Sequence, residues 1–103
     1  MLKRMKEKDG EPAPAAAAVP GAVWSLYILE CRDGTFYTGV TTDIERRIRM
    51  HQEGTASRYT RTRRPVVLVY REECGTRSQA LERECAVKSL SRERKEELIN
   101  KTS

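Results

Sequence analysis

Residues 24–39 contain two runs of β-branched and aromatic residues, one on each side of the dipeptide Asp33-Gly34. Such side chains suit a pleated sheet, and Asp-Gly between two runs is a strong signal for a tight turn. The pattern predicts a hairpin with strand one over about residues 23–31 and strand two over about 35–40. Each arm carries one tyrosine, Tyr27 or Tyr37, with nine residues between them.

The length of the turn decides whether the two tyrosines can act together. A two-residue Asp33-Gly34 loop places the phenols on opposite faces of the hairpin. A three-residue loop that also includes Arg32, with Gly34 in a left-handed bulge, pairs Tyr27 with Gly39 and places both phenols on one face. Both turns suit Asp-Gly, so the residues by themselves leave both open.

The first helix is predicted between a capping box at Thr42-Asp43-Ile44-Glu45 and a stop at Gly54. At helical spacing, one arc of about 100° contains two isoleucines, an arginine and the chain's only histidine. These residues are Ile44, Arg47, Ile48 and His51. A charge drawn toward the sheet by apolar neighbours needs a partner, so Arg47 and His51 are candidate site residues.

The second half of the chain predicts one strand and two helices. The run Val66–Tyr70 predicts a third strand, Pro65–Arg71, buried on both faces. A capping box of Thr76 and Gln79 predicts a helix over about 77–90. Ser91 is suited to cap a short last helix that ends near Asn100 and docks through Leu98 and Ile99.

The helix over 77–90 carries a second candidate. At helical spacing Glu84 shares an arc with Leu81, Cys85 and Lys88. We therefore expect Glu84 to point inward and both Glu82 and Arg83 to point away.

These elements predict an α+β domain with the order ββαβαα, in which a small three-stranded mixed sheet is flanked by helices. The domain is expected over residues 23–100. Residues 1–22 hold three of the four prolines and show no apolar periodicity, so they predict a disordered N-terminal tail.

The charge distribution favours a polyanionic partner. The formal net charge is +5, and residues 42–64 hold seven arginines against three acidic residues. Four of the arginines, Arg58, Arg61, Arg63 and Arg64, lie in one polar loop and are candidate phosphate contacts. A solvated helix and loop is the structural alternative.

Other classes of protein are disfavoured. No apolar run approaches the roughly 18 residues that a membrane span requires. The three cysteines are too few and too widely spaced for a zinc site, and their odd number does not suit a disulfide framework. They suit reduced thiols in the cytoplasm.

The hairpin and the first helix together resemble the GIY-YIG nuclease family. Leu26-Tyr27-Ile28 stands at the first signature tripeptide and Tyr37-Thr38-Gly39 at the second. Arg47 follows Tyr37 by ten residues, and Ala80-Leu81-x-x-Glu84 lies on a helix after the third strand. The resemblance covers about residues 24–90 and favours the bulged turn. It is greatest to small single-domain bacterial members.

The resemblance implies a metal-dependent endonuclease that acts on DNA, in repair or in the processing of branched or damaged DNA. It implies that Glu84 binds Mg²⁺ or Mn²⁺, that Arg47 binds the phosphate, and that Tyr27 or Tyr37 positions and deprotonates the attacking water. His51 lies beside them. The signature departures, Leu26 for glycine and Thr38 for isoleucine, are outside the reacting groups.

Each candidate also has a structural interpretation. The tyrosines suit half-buried sheet positions, Arg47 suits an ion pair with Glu30 or Glu84, and His51 suits a helix end. A non-catalytic nucleic-acid-binding module that keeps the fold is therefore the alternative function.

Overall fold

The computed structural model describes residues 22–101. Within this range the chain forms three strands and four helices in the order ββααβαα. The elements are β1 (Trp24–Glu30), β2 (Phe36–Thr41), α1 (Ile44–Glu53), α2 (Arg58–Arg61), β3 (Val67–Gly75), α3 (Arg77–Lys88) and α4 (Arg92–Lys101). The one-turn helix α2 was not expected from the sequence. The tail predicted over residues 1–22 lies, except for Ala22, outside the described residues.

The three strands form one sheet in the order β2-β1-β3. Both neighbouring pairs are antiparallel, so the α+β class is confirmed and the expectation of a mixed sheet is wrong. The reason is the position of β1. Strands β2 and β3 run in the same direction, but β1 lies between them and pairs with both.

The hairpin uses the three-residue turn Arg32–Gly34. Tyr27 lies opposite Gly39, as the bulged turn requires. Gly34 has a left-handed φ of 86°, and its N–H donates to the carbonyl of Cys31 at 2.8 Å. Both phenols therefore lie on the same face of the sheet.

The sheet separates two apolar clusters, one on each face. The α1 face has a core of Tyr27, Leu29, Cys31, Ile44 and Val66. The α3 face has a core of Leu26, Ile28, Tyr70 and Val87, with Leu98 and Ile99 of α4 packed against it. Alternate residues of β1 therefore pack on opposite faces, because successive side chains of a strand point to opposite sides of the sheet.

Strand β3 is an edge strand, contrary to the expectation of burial on both faces. It begins two residues later than predicted and extends to Gly75, and Val67 is 59% exposed. A register shift between Ile28 and Leu29 of β1 places Leu68 on the α1 face and Tyr70 on the α3 face. The valine-rich run is apolar enough for the centre of a sheet, but β1 occupies that place.

Helix α1 begins one residue later than a cap at Thr42 would give. The side chain of Asp43 is the N-cap and accepts from the N–H of Arg46 at 3.1 Å. The helix ends at Gly54, which has a φ of 86°. Its buried residues include Arg47 and His51, so the predicted inward face is confirmed.

Helix α3 begins with the predicted capping box of Thr76 and Gln79. Its inward face differs from the prediction, because Ala80 and Val87 are buried whereas Leu81 and Cys85 are exposed. The small Ala80 and, two turns later, the β-branched Val87 allow α3 to approach the sheet closely. They therefore set the rotation of the helix about its own axis.

This rotation turns Arg83 toward the sheet, whereas the sequence predicts that it points away. Its guanidinium donates two hydrogen bonds to Glu72 of β3, at 2.7 and 3.2 Å, and the hydroxyl of Tyr70 donates to the same carboxylate. Glu84 remains half-buried beside Arg83, and Glu82 is exposed as predicted.

The last helix, α4, has the cap that the sequence predicts. The hydroxyl of Ser91 accepts from the N–H of Arg94 at 3.2 Å, and Leu98 and Ile99 pack on the α3 face. Across residues 22–101, no helix has both the length and the apolar character that crossing a membrane would require.

Candidate active site

Three aromatic rings from three elements meet on the α1 face. The ring centroids of Tyr27 and Tyr37 are 6.4 Å apart, and that of His51 lies 5.7 Å from the first and 5.0 Å from the second. The hydroxyl of Tyr27 is 2.9 Å from Nε2 of His51. The two hairpin tyrosines and the α1 histidine that the sequence singled out are therefore in mutual contact.

Gly39 makes room for this arrangement. A Cβ at this position would lie 2.5 Å from the hydroxyl oxygen of Tyr27 and 2.7 Å from its Cζ. Real Cβ contacts are essentially never this short, so the ring of Tyr27 can lie across β2 only where the opposing residue is glycine. The pairing of Tyr27 with Gly39 is set by the three-residue turn.

His51 is fully buried and uses both ring nitrogens. Nε2 faces Tyr27, and Nδ1 is 2.8 Å from the hydroxyl oxygen of Thr60, which is also buried. Burial, and then the positive charge of Arg47, lower the pKa of His51 to about 4. The imidazole is therefore neutral near pH 7, so one nitrogen donates a proton and the other accepts one.

Burial raises the pKa of Tyr37 well above its ordinary value of 10. The neighbouring Tyr27 and the negative charge of Glu84 raise this pKa further, whereas a hydrogen bond with Ser57 and the charge of Arg47 lower it. Desolvation outweighs the nearby cation. Tyr37 is thus a hydrogen-bond donor near neutral pH, and its own surroundings do not make it a base.

Arg47 brings a positive charge into this pocket. Its side chain is on the buried face of α1 and is 3% exposed. Its charge acts on Tyr37 and on His51, lowering the pKa of both groups. A guanidinium in such a site has a strong electrostatic effect on any anion that enters, because little water screens it.

Glu84 reaches toward the same region from α3. Its side chain is 16% exposed, and Oε2 lies 3.4 Å from Nζ of Lys88 on the next turn. Its charge raises the pKa of Tyr37, which places the carboxylate within electrostatic reach of that phenol.

A divalent cation fits Glu84 only if a substrate completes the site. Within residues 22–101 there is no group of three His, Cys, Asp or Glu side chains arranged to hold a metal ion. Mg²⁺ commonly uses one or two carboxylates and completes its coordination with water and phosphate oxygens. A single half-buried carboxylate matches that donor set and does not match a site built from protein ligands alone.

The arginine-rich loop divides into two pairs. Arg63 donates to Asp33 at 3.0 Å and to the carbonyl of Tyr59 at 2.8 Å. Arg64 donates to the carbonyls of Arg61 and Gln52, at 2.9 and 3.2 Å. These two guanidinium groups hold the loop together. The other two arginines, Arg58 and Arg61, lie on α2 and are exposed, as is Arg64.

The structure adds three residues that the sequence did not single out. Tyr59, 37% exposed, stacks on Tyr37 with ring centroids 6.0 Å apart, and the guanidinium of Arg63 covers its ring at 4.0 Å. Ser57 contacts Tyr37, and Thr60 contacts His51. The available signal was the helix-capping serine directly before Arg58–Arg61, which would have predicted α2.

Comparisons with known proteins agree with this geometry. Residues 23–97 match the family model of the GIY-YIG catalytic domain. A UPF0213 protein of Desulfotalea psychrophila is 56% identical over 77 residues, which cover 74% of this chain and 70% of that protein. A UPF0213 protein of Staphylococcus saprophyticus is 49% identical over 75 residues, 73% of this chain and 92% of that protein.

Two solution NMR structures have the same fold. A protein from E. faecalis is 40% identical, with a TM-score of 0.55 over 78% of this chain and 85% of the other. The UPF0213 protein from Bacillus halodurans is 45% identical, with a TM-score of 0.50 over 76% and 83% of the two chains.

Proposed function

Because the chain belongs to the GIY-YIG family, we propose that it is a metal-dependent endonuclease that hydrolyses phosphodiester bonds in DNA. One observation carries the proposal: a buried arginine lies at a cluster of two phenols and a neutral imidazole. The proposal includes a cytoplasmic role in the repair or processing of branched or damaged DNA.

Arg47 binds the scissile phosphate in this proposal. Its planar guanidinium offers a fork of donors that matches two phosphate oxygens. The same hydrogen bonds offset the negative charge that develops as the phosphate is attacked. Burial strengthens the effect, since the surrounding protein screens the charge less than water does.

The two tyrosines have different tasks. Tyr37 keeps its proton because its pKa is raised, so it donates a hydrogen bond to a phosphate or leaving-group oxygen. Tyr27 is held by His51 at 2.9 Å, so its oxygen is fixed in place to accept a hydrogen bond from the attacking water. This assignment separates two roles that the sequence left open.

Glu84 is the residue that would hold Mg²⁺ or Mn²⁺ against the phosphate. When bound, the ion supplies positive charge that neutralises the phosphate oxygens. The contact of Glu84 with Lys88 is compatible with this role, because an exposed lysine can turn into solvent when a stronger cation arrives.

DNA outside the reacting phosphate lies along the arginine-rich loop. Arg58 and Arg61 are the primary phosphate contacts, since they are exposed on α2. Arg63 and Arg64 contact phosphate through the donors that their own carbonyl and carboxylate partners leave unused. These contacts give affinity without sequence preference.

The test is cleavage of supercoiled and branched DNA by the parent chain and by two matched variants, Glu84→Gln and Glu82→Gln, with Mg²⁺ or Mn²⁺. Both substitutions keep the shape of the side chain and remove one negative charge. Glu84→Gln should abolish cleavage, because a hard cation needs the carboxylate, and should leave DNA affinity nearly unchanged. Glu82→Gln, at an exposed position, should cleave at the parent rate. Equal cleavage by the parent and Glu84→Gln would refute the assignment of Glu84.

A DNA-binding module without turnover is the second candidate. The observation in its favour is that Lys88 contacts the one carboxylate that would hold the cation. A parent chain that binds DNA but cuts neither substrate with either metal would select this function.

A further inference from the structure

Thr60 is buried at the end of a chain of hydrogen bonds that begins at Tyr27. The chain runs from the hydroxyl of Tyr27 to Nε2 of His51 at 2.9 Å, and from Nδ1 to the hydroxyl of Thr60 at 2.8 Å. The same hydroxyl lies 3.4 Å from the carbonyl oxygen of Ser57, to which it donates. Each ring nitrogen of His51 thus has a hydrogen-bond partner.

The last acceptor, the carbonyl oxygen of Ser57, determines the direction of this series of hydrogen bonds. A carbonyl oxygen can only accept, and a threonine hydroxyl has a single proton to give. If Thr60 gives that proton to Ser57, its oxygen accepts from His51, so Nδ1 carries the imidazole proton. Nε2 is then unprotonated and accepts from the hydroxyl of Tyr27. In this direction each proton in the series of hydrogen bonds has an acceptor.

We propose that Thr60 is a positioning residue that holds His51 in its Nδ1–H form and thereby turns the hydroxyl proton of Tyr27 toward His51. The consequence for Tyr27 is geometric. Its proton is committed to Nε2, so the lone pairs of its oxygen point away from the imidazole, where they can accept a hydrogen bond from a water. The catalytic part of this inference rests on the proposed nuclease function, whereas the tautomer of His51 does not.

The reverse form of the imidazole would have the opposite effect. With the proton on Nε2, His51 would donate to the oxygen of Tyr27 and occupy one of its lone pairs. The hydroxyl proton of Tyr27 would then point elsewhere and compete with the water for the same space. The hydroxyl of Thr60, 2.8 Å from Nδ1, thus selects between two orientations of the Tyr27 hydroxyl on the opposite side of the imidazole ring.

The tautomer can be measured directly, because the chain contains one histidine. Long-range ¹H–¹⁵N spectra of the full chain, labelled at the imidazole, distinguish a protonated ring nitrogen from an unprotonated one. The parent should show Nδ1 protonated and Nε2 unprotonated. An Nε2–H form in the parent would overturn the proposal, whether or not any variant folds.

Variants separate the hydroxyl of Thr60 from its shape. Thr60→Val leaves a buried Nδ1–H without an acceptor, so the proton should move to Nε2, where the oxygen of Tyr27 accepts it. Thr60→Ser keeps the hydroxyl and should keep the parent tautomer. Thr55→Val makes the same change at an exposed position and should alter neither the spectrum nor the cleavage rate. A parent-like spectrum in Thr60→Val would show that the hydroxyl does not select the tautomer.

Kinetics test the catalytic part. Thr60→Val should lower kcat at least tenfold with little change in KM for DNA, and Thr60→Ser should recover most of the parent kcat. Parent-like kcat in Thr60→Val, together with the changed spectrum, would overturn the role of Thr60 in the reaction. If the parent cleaves no DNA, the proposed function fails and that role with it, and the spectra still decide the tautomer.

Discussion

Replacement of Gly39 by alanine should destabilise the fold by about 2 kcal/mol. A Cβ at this position would lie 2.5 Å from the hydroxyl oxygen of Tyr27, 2.7 Å from Cζ and 3.0 Å from Cε1. The ring is almost fully buried, so it cannot swing into solvent to relieve the contact. Overpacking of this kind costs about 1–3 kcal/mol, and loss of the hydrogen bond to His51 adds about 1 kcal/mol. Alanine recovers about 0.5–1 kcal/mol, because glycine weakens a strand.

Urea unfolding followed by the fluorescence of Trp24, the only tryptophan and a buried one, measures this loss. The dependence of the unfolding free energy on urea should stay unchanged, and the thermal midpoint should fall by about 8–16 °C. In a Tyr27→Leu background the atoms that cause the clash are absent, so Gly39→Ala should cost less than about 0.5 kcal/mol. An equal cost in both backgrounds, or a change below about 0.5 kcal/mol in the parent, would refute the clash.

Three further predictions follow from the charges. His51 has a pKa of about 4 in the fold against 6.5 unfolded, so the unfolded chain binds the extra proton between these values. Stability should therefore fall by about 3 kcal/mol as the pH drops from 6.5 to 4, and His51→Gln should remove that part of the loss in acid denaturation curves. Arg58→Ala with Arg61→Ala should reduce the salt slope of DNA binding by about 2 in fluorescence anisotropy titrations, and an unchanged slope would place the DNA elsewhere. Arg83→Ala should cost about 1–2 kcal/mol in urea unfolding, because it leaves the carboxylate of Glu72 without its two guanidinium hydrogen bonds, whereas Glu82→Ala should stay within about 0.5 kcal/mol of the parent.

The sequence predicts the α1 side of the fold well, because several local signals agree there. The spacing of Ile44, Arg47 and His51 fixes one inward face, and Gly54 marks the helix end. The bulged turn was one of two geometries compatible with Asp-Gly, and the family resemblance selected the one that the structure has.

Helix α3 shows where the same reasoning fails. Leu81 and Cys85 are apolar residues at helical spacing, yet both are exposed, and Ala80 and Val87 face the sheet instead. The inward direction of Arg83 depends on Glu72, eleven residues earlier in a strand whose edge position the sequence did not show. When a helix has no strongly apolar face, tertiary partners set its rotation.

The polar residues around His51 could not be predicted from the sequence, for a related reason. Ser57 and Thr60 look like ordinary loop residues, and their contacts depend on how α2 folds back against α1. Neither apolar periodicity nor charge marks a hydroxyl that is buried through a partner elsewhere in the chain.

The three-residue turn Arg32–Gly34 makes the length of the hairpin more constrained than its composition. Loss of Thr35 or Phe36, with the turn itself kept, would place Tyr37 opposite Glu30 and transfer the rest of β2 to the opposite side of the sheet. Tyr37 would then leave the pocket and the residue opposite Tyr27 would no longer be glycine, although each functional residue would still be encoded. In the evolution of such chains, we expect point substitutions at Arg32 to be accepted readily, whereas deletion of Thr35 or Phe36 should eliminate the site in one step.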